Sequence, residues 1–149
     1  MKIVAGSDHA GYAGKEHLKT WLAARGHEVI DLGTHGPVSV DYPDFAARVA
    51  RAVAAGEAPL GLLLCGTGIG VSIAANKIRG IRAAHCTDPY QASMARQHND
   101  ANILCLGGRV TGFGLMEATL ESFLDHGFEG GRHQARVEKI LRLESTEPA

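Results

Sequence analysis

The chain has 149 residues, of which 45% are hydrophobic and 21% are charged, and its formal net charge is -1 at pH 7. This length suits a single domain over residues 1–149 that buries its own core. The nearly neutral charge argues against nucleic-acid binding through overall basicity, and no apolar run approaches the roughly 18 residues that a membrane span needs.

The cysteines are odd in number and follow no disulfide pattern; they are Cys65, Cys86 and Cys105. The first residues run directly into a strand pattern instead of the apolar core of a signal peptide. We therefore expect a cytoplasmic protein with reduced thiols, and neither a membrane nor a nucleic acid as its partner.

Short hydrophobic runs alternate with longer amphipathic ones, which predicts a series of strands and helices. In chain order, the first elements are a strand at 2–7, a helix at 12–25, a strand at 28–33 and a helix at 41–56. The middle elements are a strand at 60–65, a short helix at 69–77, a strand at 81–86 and a helix at 88–98. A strand at 101–108 and helices at 112–126 and 131–144 complete the pattern. The final "ESTEPA" is expected to fray.

This alternation predicts a three-layer α/β/α, Rossmann-like (flavodoxin-like) fold with a five-stranded parallel sheet and an additional C-terminal helix. The third strand, "LGLLLC", lacks polar alternation, as expected when helices cover both faces of a sheet. Ligands of such sheets bind beyond the carboxyl ends of the strands. We expect three segments to converge there: "GSDHAG" (6–11), "CGTGIG" (65–70) and "HNDAN" (98–102).

The glycines of "CGTGIG" allow backbone N–H groups to turn inward and form an anion-binding nest before a helix. Their G-x-G-x-G spacing is neither the dinucleotide-binding G-x-G-x-x-G nor a P-loop, because no GK[ST] follows. The alternative interpretation of the loop is a tight strand–helix turn.

Cys65 stands directly before that loop, where a thiol ionises more readily and can act as a base or nucleophile. The alternative is a buried cysteine that acts as a small hydrophobic residue, which we expect for Cys86 and Cys105. Spacing excludes a cysteine phosphatase, because Val71 occupies the position where that chemistry needs an arginine.

Polar residues near the expected edge suit proton transfer or anion binding. Asp8 and His9 end the first strand, with an N-capping aspartate and an incidental histidine as the alternative. His98 suits proton transfer, or it satisfies the last carbonyls of its helix. Arg132 and Arg136, spaced i,i+4 on one helix face, suit phosphate binding together with Arg109, or else form a solvated face. No metal-ligand spacing is present, so we expect no metal site.

Together these segments resemble the ribose-5-phosphate isomerase B family, which includes galactose-6-phosphate isomerase subunits and allose-6-phosphate isomerases. The resemblance covers nearly the whole chain and rests on five motifs in order. They are "GSDHAG" (6–11), "DYP" (41–43), "CGTGIGVSIAANK" (65–77), "RQHNDANILCLGGR" (96–109) and "EGGRHQARV" (129–137).

The resemblance implies reversible isomerisation of ribose 5-phosphate and ribulose 5-phosphate without a metal or organic cofactor. It implies that Cys65 is the catalytic base and that His98, helped by Asp8, opens the sugar ring. Thr67 and the backbone amides would stabilise the enediolate; those amides belong to Gly66, Gly68, Ile69 and Gly70. The remaining positions would contact the phosphate or the sugar: His9, Arg109, Arg132 and Arg136 for the phosphate, and Tyr42 and Asn99 for the sugar.

The family also implies a homodimer with active sites shared between subunits, and leaves open whether dimers pair into a tetramer. Cys65 is present and position 71 is Val, so the chain follows the branch of the family that uses a cysteine base. The loop "THGPVSVDYP" (34–43) varies among members, which leaves open an isomerase of six-carbon sugar phosphates. The alternative outside the enzymes is a non-catalytic module that binds a phosphosugar.

Overall fold

Each predicted strand and helix is present in the structure, a computed structural model that describes residues 1–144. The strands are β1 (Lys2–Ser7), β2 (Glu28–Asp31), β3 (Leu60–Cys65), β4 (Ala83–His85) and β5 (Ile103–Gly107). The helices are α1 (Tyr12–Ala24), α2 (Tyr42–Ala54), α3 (Ile69–Ala75), α4 (Pro89–Asn99), α5 (Phe113–Asp125) and α6 (Arg132–Leu143). Element ends lie within two residues of the prediction, and most of the predicted tail, from Ser145 on, lies outside the described residues.

The five strands of residues 1–144 form one parallel sheet in the order β2-β1-β3-β5-β4. This confirms the three-layer, Rossmann-like architecture, with the last two strands exchanged relative to the flavodoxin order. The chain leaves β1 towards β2 and later returns on its other side as β3. This change of direction opens a crevice between the carboxyl ends of β1 and β3, which is where ligands bind in such sheets.

Helices cover both faces of the sheet, and this explains the unbroken apolar run of β3. All six residues of β3 are buried. Leu62 and Leu64 pack into a core with α1, α4 and α5, whereas Leu63 and Cys65 pack into a second core with α2 and α3. β3 is the middle strand of the sheet. Burying a leucine stabilises a fold by roughly 1.5–3 kcal/mol, so the leucines of β3 contribute strongly to the stability of the domain.

Two aspartates directly precede helices, but they differ in what their side chains do. The Oδ1 atom of Asp88 accepts a hydrogen bond from the Gln91 amide at 2.9 Å and caps α4. Asp41 precedes α2 with extended backbone, but its side chain makes no capping hydrogen bond within the described residues. Among residues 1–144, no helix is long and apolar enough to cross a bilayer.

The direction of α4 corrects one expectation. Because α4 begins at the carboxyl end of β4 and runs back across the sheet, it ends beside the starts of the strands. There the Asn102 carbonyl accepts from the Gly61 amide, and the Asn102 amide donates to the Arg82 carbonyl. The "HNDAN" segment therefore lies at the amino ends of the strands (the amino edge), opposite the carboxyl ends that carry Cys65 (the carboxyl edge). The predicted convergence of all three segments within one chain is wrong.

Candidate active site

The thiol of Cys65 lies at the carboxyl edge, where β3 gives way to the glycine loop. Its Sγ accepts a hydrogen bond from the Gly68 amide at 3.2 Å, and the residue is 5% exposed. The loop thus places a backbone donor on the one cysteine that sits at the crevice.

Gly68 adopts a left-handed conformation, with a φ of 82°, which side chains disfavour. A Cβ at this position would also lie 2.6 Å from Cδ2 of His85 and 2.9 Å from the backbone carbon of Leu106. Both constraints require glycine here. Because His85 and the β5 backbone pack directly against Gly68, they also fix the position of the amide that donates to Cys65.

The other side of the loop is covered by Tyr42, from the start of α2. A Cβ on Gly70 would lie 2.8 Å from the Tyr42 ring, so the ring rests directly on the loop backbone. The Thr67 hydroxyl accepts from the Ile69 amide at 3.3 Å. Tyr42 is 40% exposed, and an aromatic ring in that position can form one wall of a small-molecule site.

Asp8 and His9 follow β1 on the same edge. The Asp8 Oδ1 accepts from the amides of Ala10 and Gly11, both at 2.9 Å, and so fixes the turn into α1. The His9 Nδ1 accepts from the Val40 amide at 3.2 Å. His9 therefore holds the end of the 34–43 loop against the site, and its ring orientation depends on that loop.

Arg109 completes the carboxyl edge. Its amide donates to the Gly66 carbonyl at 3.0 Å, and its side chain passes over Gly66, 3.5 Å from an ideal Cβ there. An exposed guanidinium above the glycine loop is suited to bind a phosphate bidentately. The carboxyl edge of one chain thus brings together the thiol, the loop amides, an Asp–His pair and a cation.

The amino edge holds a second set of residues. The imidazoles of His98, on α4, and His133, on α6, stack with their centroids 4.0 Å apart and their planes at 6°. His133 is 4% exposed, and its Nε2 accepts from Nε of Arg132 at 3.2 Å. Burial lowers the pKa of His133 below its usual value, and His98, Arg132 and Arg136 lower it further, against the opposing effect of Glu129. His133 is therefore neutral near pH 7.

Donor atoms of His98, Glu129 and His133 lie within 4.8 Å of one another, a set that invites comparison with a zinc site. The lone pairs of a ring nitrogen lie in the ring plane, and Zn–N distances are about 2.0–2.1 Å. Two parallel rings 4.0 Å apart offer no common point for an ion, and the Arg132 guanidinium already donates to His133. The geometry is that of a stacked pair beside a cation.

Arg132 and Arg136 are exposed near this pair, at the start of α6. Asn99 ends α4 and lines an open cavity of about 640 Å³ between the ends of α3 and α6. The predicted phosphate cluster is therefore divided within one chain, because Arg109 lies at the carboxyl edge and the other two arginines lie at the amino edge.

Comparison with known proteins assigns the chain to a family. The model of the family described as "Ribose/Galactose Isomerase" matches residues 3–140. The chain belongs to the ribose/galactose isomerase family. Ribose-5-phosphate isomerase B of Escherichia coli (strain K12) is 50% identical over 143 residues, which cover 96% of each chain.

Solved structures agree with this assignment to the ribose/galactose isomerases. Ribose-5-phosphate isomerase B of Clostridium thermocellum superposes with a TM-score of 0.96 at 56% identity, covering 97% of this chain and 98% of the other. The type B ribose 5-phosphate isomerase of Trypanosoma brucei gives a TM-score of 0.93 at 49% identity, covering 96% and 98%. The chain is thus an enzyme, an aldose–ketose isomerase of the ribose-5-phosphate isomerase B type, that is, an intramolecular oxidoreductase.

Sequence reasoning missed two histidines that contact the site. His85 supports the loop glycine, and its buried Nε2 has no hydrogen-bond partner among the described residues. His133 stacks on His98. Neither carries a local signal, because each acquires its neighbour through packing between elements. For His133, the only related signal in the sequence was its position between Arg132 and Arg136, which were predicted to bind phosphate.

Proposed function

We propose that this isomerase interconverts ribose 5-phosphate and ribulose 5-phosphate through an enediolate, with Cys65 as the base. The Cys65 thiolate takes the proton from C2 of the open aldose and returns it to C1, while a proton moves from O2 to O1. The observation that carries the proposal is the Gly68 amide on the Cys65 Sγ, inside a glycine loop at the crevice. The names of the relatives support the choice of substrate.

Removing a proton next to a carbonyl develops negative charge on the carbonyl oxygen. Within residues 66–70, the amides of Gly68 and Ile69 already donate inside the loop. The other amides of the loop and the Thr67 hydroxyl offer donors for that charge, and one such donor typically contributes about 2.7–4 kcal/mol. Bulky side chains would cover the amides, which accounts for glycines on both sides of Thr67. The Tyr42 ring over Gly70 limits the space for the sugar.

The separation of the two edges supports a homodimer with shared sites. A strand of six residues, such as β3, spans roughly 20 Å, so His98 of the same chain is too distant to act on a sugar at Cys65. We propose that His98 of the partner subunit, with Asp8, opens the furanose ring, and that Asn99 of the partner subunit contacts the sugar. Arg132 and Arg136 of the partner subunit then bind the phosphate together with His9 and Arg109. Phosphate binding far from the reacting carbons orients the open sugar.

The first test is turnover by the purified chain. Ribose 5-phosphate should be converted faster than allose 6-phosphate or galactose 6-phosphate, and Cys65→Ala should abolish conversion while phosphate still binds. Cys105→Ala is the matched control, because this thiol is fully buried in the next strand. A preference for a six-carbon sugar would overturn the substrate assignment. Phosphosugar binding without any turnover would make the chain a binding module.

The second test addresses the shared site. A Cys65→Ala chain and an Arg132→Ala chain should each be inactive but regain partial activity when mixed. Mixed dimers would contain one site with both residues intact and one site with neither. If labelled subunits exchange and no activity returns, the shared-site model is wrong.

A further inference from the structure

His133 is buried where three features of the amino edge meet, although no role follows for it from the proposed reaction itself. Its ring lies flat against His98, with 4.0 Å between centroids. Its Nε2 accepts from Nε of Arg132 at 3.2 Å. A carboxylate oxygen of Glu129 lies 3.9 Å from the same nitrogen. One buried imidazole therefore touches both the residue proposed to open the ring and a residue proposed to bind phosphate.

We infer that His133 is a positioning residue, which holds the His98 imidazole by stacking and the Arg132 guanidinium by accepting its hydrogen bond. The inference rests on the proposed function of His98 and Arg132. It adds a physical link between them, because His98, His133 and Arg132 pack together as one unit. A sugar that is bound by its phosphate therefore meets a His98 imidazole that is already oriented.

The surrounding charges favour the form of His133 that this role requires. Only a neutral imidazole can accept the Arg132 N–H, since both nitrogens donate once the ring is protonated. His98 on α4 and the two arginines on α6 disfavour a second positive charge, whereas Glu129, on the preceding segment, is the one acidic group of this set. Burial acts in the same direction as the cations, and His133 remains an acceptor at neutral pH.

Local backbone geometry keeps the unit in place. The His133 amide donates to the Gly130 carbonyl at 2.9 Å, and the Glu129 amide donates to the Gln97 carbonyl at 3.1 Å. The second bond ties the segment before α6 directly to the residue that precedes His98. Val137, one turn further along α6, is 4% exposed and anchors the same helix face. His133 thus sits on a fixed element and not on a loose helix start.

Two substitutions separate the two contacts. His133→Phe keeps a flat ring against His98 but cannot accept from Arg132, so we expect KM to rise about tenfold for both ribose 5-phosphate and ribulose 5-phosphate. His133→Gln keeps an acceptor but loses the stacked ring. For that variant we expect kcat to fall about tenfold with ribose 5-phosphate, which needs ring opening, and less than twofold with ribulose 5-phosphate.

His17→Phe is the matched control, because His17 also stacks on an aromatic ring, Phe113, at 4.3 Å but lies outside the site. It should leave both constants unchanged. A thermal unfolding scan checks that the variants fold. If both His133 variants fold and match wild type in KM and in the ribose-to-ribulose ratio of kcat, the inference is wrong. Equal loss of kcat in both directions by both variants would also overturn it, since that pattern indicates general damage.

Calorimetric titration with inorganic phosphate tests the inference independently of catalysis. His133→Phe should bind phosphate about tenfold more weakly than wild type, whether or not the chain turns over a sugar. Wild type that binds phosphate but isomerises nothing would defeat the proposed function and leave the Arg132 link standing. If the wild-type protein isomerises ribose 5-phosphate and His133→Phe binds phosphate as tightly as the wild type, the link between His133 and Arg132 is wrong and the proposed function still stands.

Discussion

The ammonium of Lys15 lies 2.7 Å from the carboxylate of Asp31 in the interior, joining α1 to the end of β2. The Lys15 side chain is 0% exposed. The other oxygen of Asp31 accepts from the Gly33 amide at 2.9 Å, and the Gly33 carbonyl accepts from the Ser7 amide at 2.7 Å. This chain of bonds ends at the residue before Asp8, so the ion pair supports one side of the carboxyl edge.

Asp31→Asn should destabilise the protein by about 2–3 kcal/mol at pH 7, because the buried Lys15 ammonium loses one of its two carboxylate partners and keeps only Glu16. Burial alone would raise the pKa of Asp31, but hydrogen bonds from Lys15, Lys19 and the Gly33 amide outweigh it and lower the pKa from 3.8 to about 2. The stabilisation is therefore complete above the unfolded value of 3.8 and is lost as the pH falls through about 2.

Urea unfolding of wild type and Asp31→Asn between pH 7 and pH 2 measures this effect. The difference between them should be constant at neutral pH and should narrow below about pH 4. Glu28→Gln, which breaks the exposed pair with Lys2 at 3.6 Å, is the control and should change stability by less than about 1 kcal/mol. A difference that stays constant down to the lowest pH would contradict the assignment.

Gly68→Ala and Gly80→Ala form a matched pair, since both glycines have a φ of 82°. Gly80 has open space where a Cβ would stand, whereas Gly68 faces His85 and the Leu106 backbone. Gly80→Ala should cost about 1–2 kcal/mol of conformational strain and leave turnover unchanged. Gly68→Ala should cost more and reduce kcat at least a hundredfold, because the amide on Cys65 is displaced. Denaturation midpoints and kcat test this, and equal turnover in the two variants would refute it.

Iodoacetamide at pH 8 should label one cysteine of the native chain, Cys65. Burial raises the pKa of Cys86 to about 12, with a further rise from Asp88, and burial raises the pKa of Cys105 well above its usual value. Both thiols are therefore protonated at pH 8 and unreactive. Mass spectrometry should find one modified residue before unfolding and three after it. Labelling of Cys86 as fast as Cys65 would contradict the assignment of Cys65 as the one reactive thiol.

His98→Asn should impair turnover of ribose 5-phosphate more than turnover of ribulose 5-phosphate. The aldose exists mostly as a closed furanose, whereas ribulose 5-phosphate cannot form that ring, and general acid–base catalysis typically contributes 10²–10⁴-fold. Steady-state kinetics in both directions, with exchange of the C1 proton in deuterated water, separates ring opening from proton transfer. Equal losses in both directions would count against this division of labour.

Arg136→Ala should raise KM strongly and also lower kcat. Each hydrogen bond to an anion contributes roughly 1.5–3 kcal/mol, and phosphate binding also positions the reacting carbons. Lys139→Ala, an exposed cation one turn further along α6, is the control for general loss of positive charge. If the two variants behave alike, the arginine belongs to a solvated helix face and not to the site.

Periodicity predicted every element of the described fold, because buried strands and amphipathic helices are local patterns. The order of the strands was harder to predict from the sequence, because the position of β5 between β3 and β4 depends on how two crossover connections pack. The grouping of "HNDAN" with Cys65 failed for a directional reason. A helix that follows a parallel strand runs antiparallel to it, so residues at the end of α4 arrive at the opposite edge. The contacts of His85 and His133 are tertiary, and no single segment encodes them.

The division of the candidate site between opposite edges has a consequence for assembly. A subunit with the thiol on one edge and its complementary groups on the other could join its neighbours head to tail, in an open fibre with unfilled ends. In the proposed homodimer, a two-fold axis would close the arrangement instead, because each subunit would then give and receive once and no edge would remain unmatched. If the site is shared in this way, the geometry that completes each site also prevents open-ended polymerisation, and an isolated subunit would have no complete site.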